Sequence, residues 1–449
     1  MSVNLQSVGL SGIAAAEAAM AVIESNLTNA SNNNYSLETI GFQTTSGPDG
    51  SGSGVEVLPT QRAQSPLLTQ QINTTQATQS YDQSFSQVAT VAQQIVAPSS
   101  GDLNSNLQDI FNALNALSAQ PDDPTARQSV LTALNTFAQN DENISSSLYS
   151  TAVTQLDSVS PLITQINAAS SQVAQLNGQI ISAQASGQSA ATLLDSRDAA
   201  VNQLASLIGA TADSKGNVTV GGVPLVSGTS ALTLSTTGSG TNIGLSVSLA
   251  QGALPLNVSQ IGGQLGGLMG GAQATLNLQS QVDSFADTVA TAFNNQSTTG
   301  FGLDGSTGNA LFTVPAAGGP IALNPGLTTQ NLPASSTAAG VPGDGSNATA
   351  LGAIANNQSL FPGYANRTPV EVFSEVASDF GTQVQNANNA QQQSANTLQS
   401  LTQMKSAITG VSINEQLTQL IEYQNMLQAS GRAVQAANDN ITFLIQNIN

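Results

Sequence analysis

Large apolar residues recur at helical spacing along most of this chain, and the recurrence breaks in a few definite places. Near the N-terminus Ile13, Ala16, Met20, Ile23, Leu27 and Ala30 step by three and four, which puts one apolar stripe on one helix face. An Asn-rich stretch from Asn29 to Asn34 follows, then Tyr35, then a Gly/Ser segment from Ser46 to Gly54 without a period, which reads as loop. The helical period returns from Pro66 to about Ala97 with Tyr81, Phe85, Val88, Ala92 and Ile95. A second stripe (Leu103, Leu107, Ile110, Leu114, Leu117) ends at Pro121-Asp122-Asp123-Pro124, and a third runs through Val130, Leu134, Phe137, Ile144 and Leu148. Val159, Ile166, Val173 and Ile180 stand seven apart with Ile163 and Leu176 between them, a coiled-coil-like seam. A shorter helix is predicted from Thr192 to Ile208, carrying Leu194, Val201, Leu204 and Ile208.

The period then changes from helical to alternating. Asn217–Val220, Pro224–Val226, Leu232–Leu234 and Ile243–Leu249 alternate apolar and polar residues between Gly-rich turns, which predicts short strands. Helical spacing resumes with Val282, Phe285, Val289 and Phe293. Residues 300–365 are rich in Gly, Pro, Ser and Thr and read as a loop-rich insertion. Phe373, Val376, Phe380 and Val384 open a last long stripe that continues through Leu398 and Leu401. After Gly410, Ile413, Leu420, Leu427, Val434, Ile441 and Ile448 fall at seven-residue intervals. The turns between them are filled only in places, by Leu417, Leu444 and Ile445, while Gln424, Gly431 and Asn438 are weak.

The predicted fold is mainly α: an elongated, multi-layer molecule with terminal coiled-coil-like helices, a long helical bundle and a small β-rich subdomain. Residues 1–65 and 410–449 form the terminal helical unit, 66–209 and 261–409 the bundle with its insertion at 300–365, and 210–260 the β subdomain. A lone helix with one apolar stripe is marginal in water, so the two end helices are natural partners for each other and for neighbouring copies. Candidate interface positions are therefore Ile13, Met20, Ile23 and Leu27 at one end and Ile413, Leu420, Leu427, Val434, Ile441 and Ile448 at the other.

Composition narrows the chemistry. The 449 residues include no Cys, His or Trp, which removes the usual side chains for proton shuttling at neutral pH, thiol nucleophiles and zinc sites. Only 7% of residues are charged, so solubility rests on Ser, Thr, Asn and Gln. Seven basic residues against 26 acidic ones give a net charge of −19, which argues against nucleic acid and against anionic membranes as partners. Residues 1–30 carry no Lys or Arg, and Glu17 and Glu24 interrupt the apolar content, so neither a cleaved signal peptide nor membrane insertion is expected.

Three clusters invite a chemical reading. Asp195 and Asp198 flank Arg197 and share a helix face, which fits a surface ion cluster or an inter-helix contact better than an acid pair. Asp304-Gly305-Ser306-Thr307-Gly308 lacks the further acidic ligands of a calcium loop and reads as an Asp-Gly turn. No His is present to activate a serine, and neither Lys215 nor Lys405 lies in a Ser-x-x-Lys motif. No catalytic, metal or cofactor site is expected. A secreted carboxylate-dependent glycosidase stays open as an alternative, and would need two carboxylates ~5–9.5 Å apart in one cleft. A surface adhesin would need residues 300–365 to fold as a binding module.

Specific blocks carry a family likeness. Ser25-Asn26-Leu27-Thr28-Asn29-Ala30-Ser31-Asn32-Asn33-Asn34-Tyr35-Ser36 resembles the N-terminal signature of flagellar rod, hook and junction proteins, with Asn34 where Gly is usual. Leu37 stands where that signature commonly has Arg, so no salt bridge is expected in that region. Asp123-Pro124-Thr125-Ala126-Arg127-Gln128, Leu193-Leu194-Asp195-Ser196-Arg197-Asp198 and the Phe293–Gly308 block are similar to motifs of the hook-associated protein 1 family. Ser406 to Leu420 resembles the opening of that family's C-terminal segment. The resemblance implies an exported structural component of the bacterial flagellum, extracellular, that polymerises at the hook tip and joins hook to filament. It implies self-association, contacts with the hook protein and the second junction protein, and a cytosolic export chaperone at the C-terminal helix. Another axial component (the second junction protein, a hook or rod protein, or a flagellin) is the alternative within that class. The outer β-rich domain usual in the family is expected to be reduced or absent.

Overall fold

The computed structural model describes residues 2–46, 52–98, 101–249, 252–316 and 318–448, with side chains from Leu5 to Asn447. Long helices dominate: α1 (Ser2–Thr28), α2 (Pro66–Val96), α3 (Leu103–Ala119), α4 (Pro124–Asp157), α5 (Val159–Ala185), α6 (Ala191–Ile208), α7 (Gly263–Ser297), the short α8 (Ser346–Gly352), α9 (Pro369–Thr409) and α10 (Ile413–Ile448). Their starts are built into the sequence. Asp123 accepts from the Thr125 N–H with Pro124 as the first helical residue, and Thr368 and Glu371 form a reciprocal capping box ahead of Pro369.

The stripes of large residues are the buried faces. Leu103, Leu107, Ile110, Leu114 and Leu117 of α3 are buried, as are Val130, Leu134, Phe137, Ile144 and Leu148 of α4. With Val282, Phe285, Val289 and Phe293 of α7 and Phe373 to Val384 of α9 they make one apolar core. A second core joins the α5 seam (Val159, Ile163, Ile166, Val173) to Val201, Leu204 and Ile208 of α6 and to a β unit.

That β unit spans residues 211–256. Strands β5 (Thr211–Ala212), β6 (Val218–Val220), β7 (Val223–Ser227) and β8 (Ser230–Ala231) follow the four short strands of the N-terminal region described below, and form one antiparallel sheet. Strands β9 (Thr233–Thr237), β10 (Gly244–Leu249) and β11 (Gly252–Leu256) form a second. Val218, Val220, Leu225, Leu234, Leu245 and Val247 turn inward onto α5 and α7. The alternating stretches fall in β6, β7, β9 and β10.

Three parts depart from expectation. The segment from Ser46 to Gly54 is not simply loop: β2 (Phe42–Ser46) pairs antiparallel with β3 (Gly52–Val57), and residues 47–51 lie outside the described residues. This hairpin is flanked by β1 (Glu38–Thr39) and β4 (Gln61–Arg62), which pair with each other. Helix α7 starts at Gly263, well before the stripe that predicted it, because its first turns pack on α2 through glycines. A Cβ added at Gly271 would sit 2.8 Å from the Val88 Cβ, so only glycine admits this approach. Residues 300–365 are mostly irregular but not detached. Strands β12 (Phe312–Thr313) and β13 (Ala322–Leu323) pair, and Leu311, Phe312, Ile321, Leu332, Leu351 and Phe361 bury into the first core. That burial leaves no separate binding module in the region.

Candidate assembly interface

Helices α1 and α10 lie antiparallel, with Asn26 beside Gln416 and Gly9 beside Val434. The face of α1 toward its partner is made of small residues: Gly9, Gly12, Ala15, Ala16 and Ala19 are buried, joined by Ile23 and Asn26. A Cβ at Gly9 would stand 2.6 Å from the Val434 Cγ2, and one at Gly12 would stand 2.6 Å from the Ser430 Oγ. On α10 the facing positions are Gln416, Leu420, Tyr423, Leu427, Ser430, Val434, Ala437 and Ile441, alternating steps of four and three. Leu420, Leu427, Val434 and Ile441 are thus half-buried along this seam. The second seam position is Gln416, Tyr423, Ser430 and Ala437, not the 417/424/431/438 set: Ser430 lies against Gly12, and Tyr423 meets Phe42 of the hairpin.

Of the α1 candidates, Ile23 is buried, while Ile13, Met20 and Leu27 are half-buried on the flanks of the small-residue face. Ile413 is 52% exposed because α1 ends at Thr28 and nothing covers α10 beyond Gln416. Ile448 lies outside the residues whose side chains are described. Leu5, Val8 and Leu10 on α1 and Ile421 and Phe443 on α10, which the stripes did not single out, point outward, and so do Leu417, Leu444 and Ile445, which the C-terminal stripe had counted toward its buried face. Each helix therefore has a small or mixed face turned to its partner and a larger apolar face turned to water. By length and mean hydropathy Leu5–Thr28 would also suffice to cross a bilayer, a property its many alanines confer despite Glu17 and Glu24. No unbroken apolar run of that length lies within it, because Ser, Asn, Gln and Glu interrupt the segment.

The β2–β3 hairpin closes this unit. The Val55 N–H donates to the Ser11 Oγ at 3.1 Å, and Phe42 meets Tyr423 with ring centroids 6.1 Å apart.

Beneath the pair the signature residues form a polar joint. The Asn26 amide donates to the Glu38 carbonyl (2.9 Å) and the Gln416 Oε1 (2.8 Å), while its Oδ1 accepts from the Tyr35 hydroxyl (2.9 Å) and the Glu38 N–H (3.0 Å). Every bonding position of that buried amide is used, so a side chain without both its donors and its acceptor would leave buried partners unpaired. Next along the chain, the Ser36 N–H and hydroxyl both donate to Asp195 of α6, at 3.0 and 2.8 Å. Arg62 of β4 reaches Asp195 at 2.7 Å and Asp198 at 2.7 Å. A salt bridge does exist in this region, supplied by Arg62 rather than by position 37. Burial works against the Arg62 charge, but Asp198 and Asp195 more than offset it and raise its pKa. Burial and the nearby Asp195 charge push the Glu38 carboxyl up.

The remaining motifs hold the body together. Asp195 and Asp198 turn to Arg62, whereas Arg197 turns away to the Ser214 carbonyl (3.3 Å) and Asn177 (3.5 Å). Arg127, 2% exposed, donates to the carbonyls of Pro121, Thr329 and Leu332 and so ties α4 to the insertion. Asn294 accepts from the N–H groups of Leu311 and Phe312 and donates to the Phe312 carbonyl. Asp304 closes a turn by accepting from Ser306. Among the described residues no cluster of three His, Cys, Asp or Glu could hold a metal ion.

Comparison with known proteins agrees with where these motifs sit. Residues 89–312 match a family profile described as the helical domain of flagellar hook-associated protein FlgK. Flagellar hook-associated protein 1 of Salmonella typhimurium is 27% identical over 331 residues, 68% of this chain and 58% of the relative. The protein of the same name from Escherichia coli K12 is 26% identical over 329 residues, 68% of this chain and 59% of the relative. This chain thus spans somewhat under two thirds of the length of these relatives. The flagellar hook junction protein FlgK from Burkholderia pseudomallei superposes with a TM-score of 0.50 at 28% identity, over 55% of this chain and 47% of that one.

Proposed function

The chain belongs to the flagellar hook-associated protein 1 family, and from that membership we propose that it is a junction component that polymerises at the tip of the hook and connects hook to filament. The observation that carries this reading is the two-faced terminal pair. The small-residue seam between α1 and α10 is filled within one chain, while Leu5, Val8 and Leu10 on one helix and Ile413, Leu417 and Ile421 on the other remain exposed. Two different apolar faces on one unit suit a heterologous contact, in which α1 of one copy meets α10 of the next, and such contacts propagate as rings or helices. Self-association would then use Ile13, Met20 and Leu27 from the α1 flank together with these outward residues. Leu420, Leu427, Val434 and Ile441 would set the shape of the pair from inside the seam.

In this reading residues 1–65 with 410–449 are the assembling unit, 66–209 with 261–409 the helical body, and 210–260 a β subdomain on its flank. The hook protein and the second junction protein are the neighbours on either side, and a cytosolic export chaperone covers the C-terminal helix until the chain leaves the cell. The role is architectural, with no reaction. A glycosidase reading finds no free carboxylate pair at Asp195 and Asp198, because both are engaged by Arg62.

The test is a paired substitution in vivo. Leu417→Asp and Ile421→Asp lie on exposed positions, so the purified variants should keep the circular dichroism and melting profile of the parent. Cells carrying them should make hooks that fail to hold filaments. Normal filaments from both variants would refute assembly through this face.

A further inference from the structure

The joint beneath the terminal pair differs in kind from the rest of the molecule. Both apolar cores lie wholly within residues 89–384, so neither draws a buried residue from 1–65 or from 410–448. The chain crosses between terminal unit and body twice, through residues 58–65 and 410–412, and residues 29–37 lie at the joint on the terminal side. The backbone contributes the Leu37 N–H donating to the Thr409 carbonyl at 2.7 Å. The side-chain hydrogen bonds that span the joint end on two carboxylates of α6. Asp195 takes the Ser36 N–H, the Ser36 hydroxyl and one Arg62 nitrogen, and Asp198 takes the other.

The two ion pairs are not equal. The Arg62 and Asp195 side chains are 9% and 7% exposed, while Asp198 is 30% exposed. Taking the charge from a buried partner leaves the other uncompensated, so the contact is stiff when complete and costly when broken on one side. An apolar core of similar extent would have no such single point of release. On the terminal side the Asn26–Tyr35–Glu38–Gln416 network is complete without α6 and keeps α1, β1 and α10 together whatever α6 does.

We propose that Asp195 is a latch fixing the angle of the α1–α10 pair on the body, and that loss of its charge lets the pair swing as a unit about the two crossings while both parts stay folded. Asp195 is a positioning residue in this account, acting through Ser36 and Arg62. The inference concerns the single chain and does not depend on the assembly reading, so either can fail without the other.

The absence of native cysteine makes the test direct. Glu17→Cys on α1 and Thr192→Cys on α6 are exposed positions on either side of the joint and accept spin labels. In the full-length chain, pulsed dipolar spectroscopy should give one narrow distance distribution, and Asp195→Asn should broaden it about twofold or more, as a hinge released from a single contact does. Asp198→Asn, which removes the more exposed partner, should broaden it less. Two controls separate swinging from unfolding. Tryptic cleavage after the buried Arg127 should proceed at the same rate in parent and Asp195→Asn. In an otherwise cysteine-free chain, Gly12→Cys with Ser430→Cys should cross-link equally in both backgrounds, since a Cβ at Gly12 lies 3.3 Å from the Ser430 Cβ. An unchanged distance distribution in Asp195→Asn overturns the proposal. So does faster cleavage after Arg127 or loss of the cross-link, because the carboxylate would then be holding up the fold and not an angle.

Discussion

The close approach of α1 to α10 predicts that one substitution has opposite signs at two glycines of the same terminal pair. In Gly9→Ala the new methyl would lie 2.6 Å from the Val434 Cγ2, with the Ser430 carbonyl and the Val434 nitrogen both at 3.3 Å. Val434 is β-branched and stiff at χ1, so its methyl cannot easily rotate away, and the helices must part. Overpacking of this kind costs about 1–3 kcal/mol, while replacing a helical glycine by alanine returns about 1 kcal/mol of propensity. The balance is a loss of up to roughly 2 kcal/mol in the pairing. Gly431→Ala, with nothing within 4 Å of its Cβ, should keep the propensity gain alone. Hydrogen exchange of the α10 amides reads both. Protection should fall by up to roughly 30-fold in Gly9→Ala, rise in Gly431→Ala, and recover in Gly9→Ala combined with Val434→Ala. If Gly9→Ala protects α10 as well as Gly431→Ala does, the small-residue seam is not what holds the pair.

Two further outcomes concern the body. Arg127→Ala removes the donor for three carbonyls and leaves a buried void, so urea unfolding should show a loss of roughly 3–5 kcal/mol, with Arg127→Lys recovering only part of it; a loss under about 1 kcal/mol would deny the clamp. Asp141 is fully buried, and burial first, then the charges of Asp283 and Asp287, push its pKa up to about 8 against the pull of the Ile321 N–H. The unfolded chain releases this proton near the ordinary carboxyl range, so between there and about 8 the unfolded state binds fewer protons and stability falls as pH rises. Asp141→Asn, whose amide oxygen can still accept from Ile321, should leave the melting temperature unchanged near pH 4 and raise it above pH 7; equal melting temperatures of parent and variant across that range would count against a protonated Asp141.

What was legible in the sequence follows from which residues do the packing. Helices α3, α4 and α5 bury Leu, Ile, Val and Phe at regular steps, and their stripes coincide with their buried faces. The start of α7 and the inner face of α1 pack through Gly and Ala, which carry little hydrophobic weight, so a reading based on large apolar residues saw the flanks of α1 and missed the first turns of α7. The β2–β3 hairpin was hidden for a related reason, since Gly52, Ser53 and Gly54 have little strand propensity, and Gly54 is where the strand comes up against Ser11 of α1. The insertion at 300–365 has no period because it is pinned by side chains distant in sequence, Arg127 and Asn294 above all. The joint shows the opposite case. Its parts, Asn26, Tyr35, Ser36, Asp195 and Asp198, all stood in recognisable motifs, but only the fold brings the N-terminal signature and the α6 carboxylates to the same place, with Arg62 between them.

The most direct test of the junction role is a clean deletion of this chain in its own cells, examined by electron microscopy of the cell surface together with analysis of the culture medium. The account predicts completed hooks with bare tips and flagellin shed as soluble monomer, both reversed by supplying the chain in trans. Filaments of normal length on the deletion cells, or cells that stop before the hook is built, would contradict it.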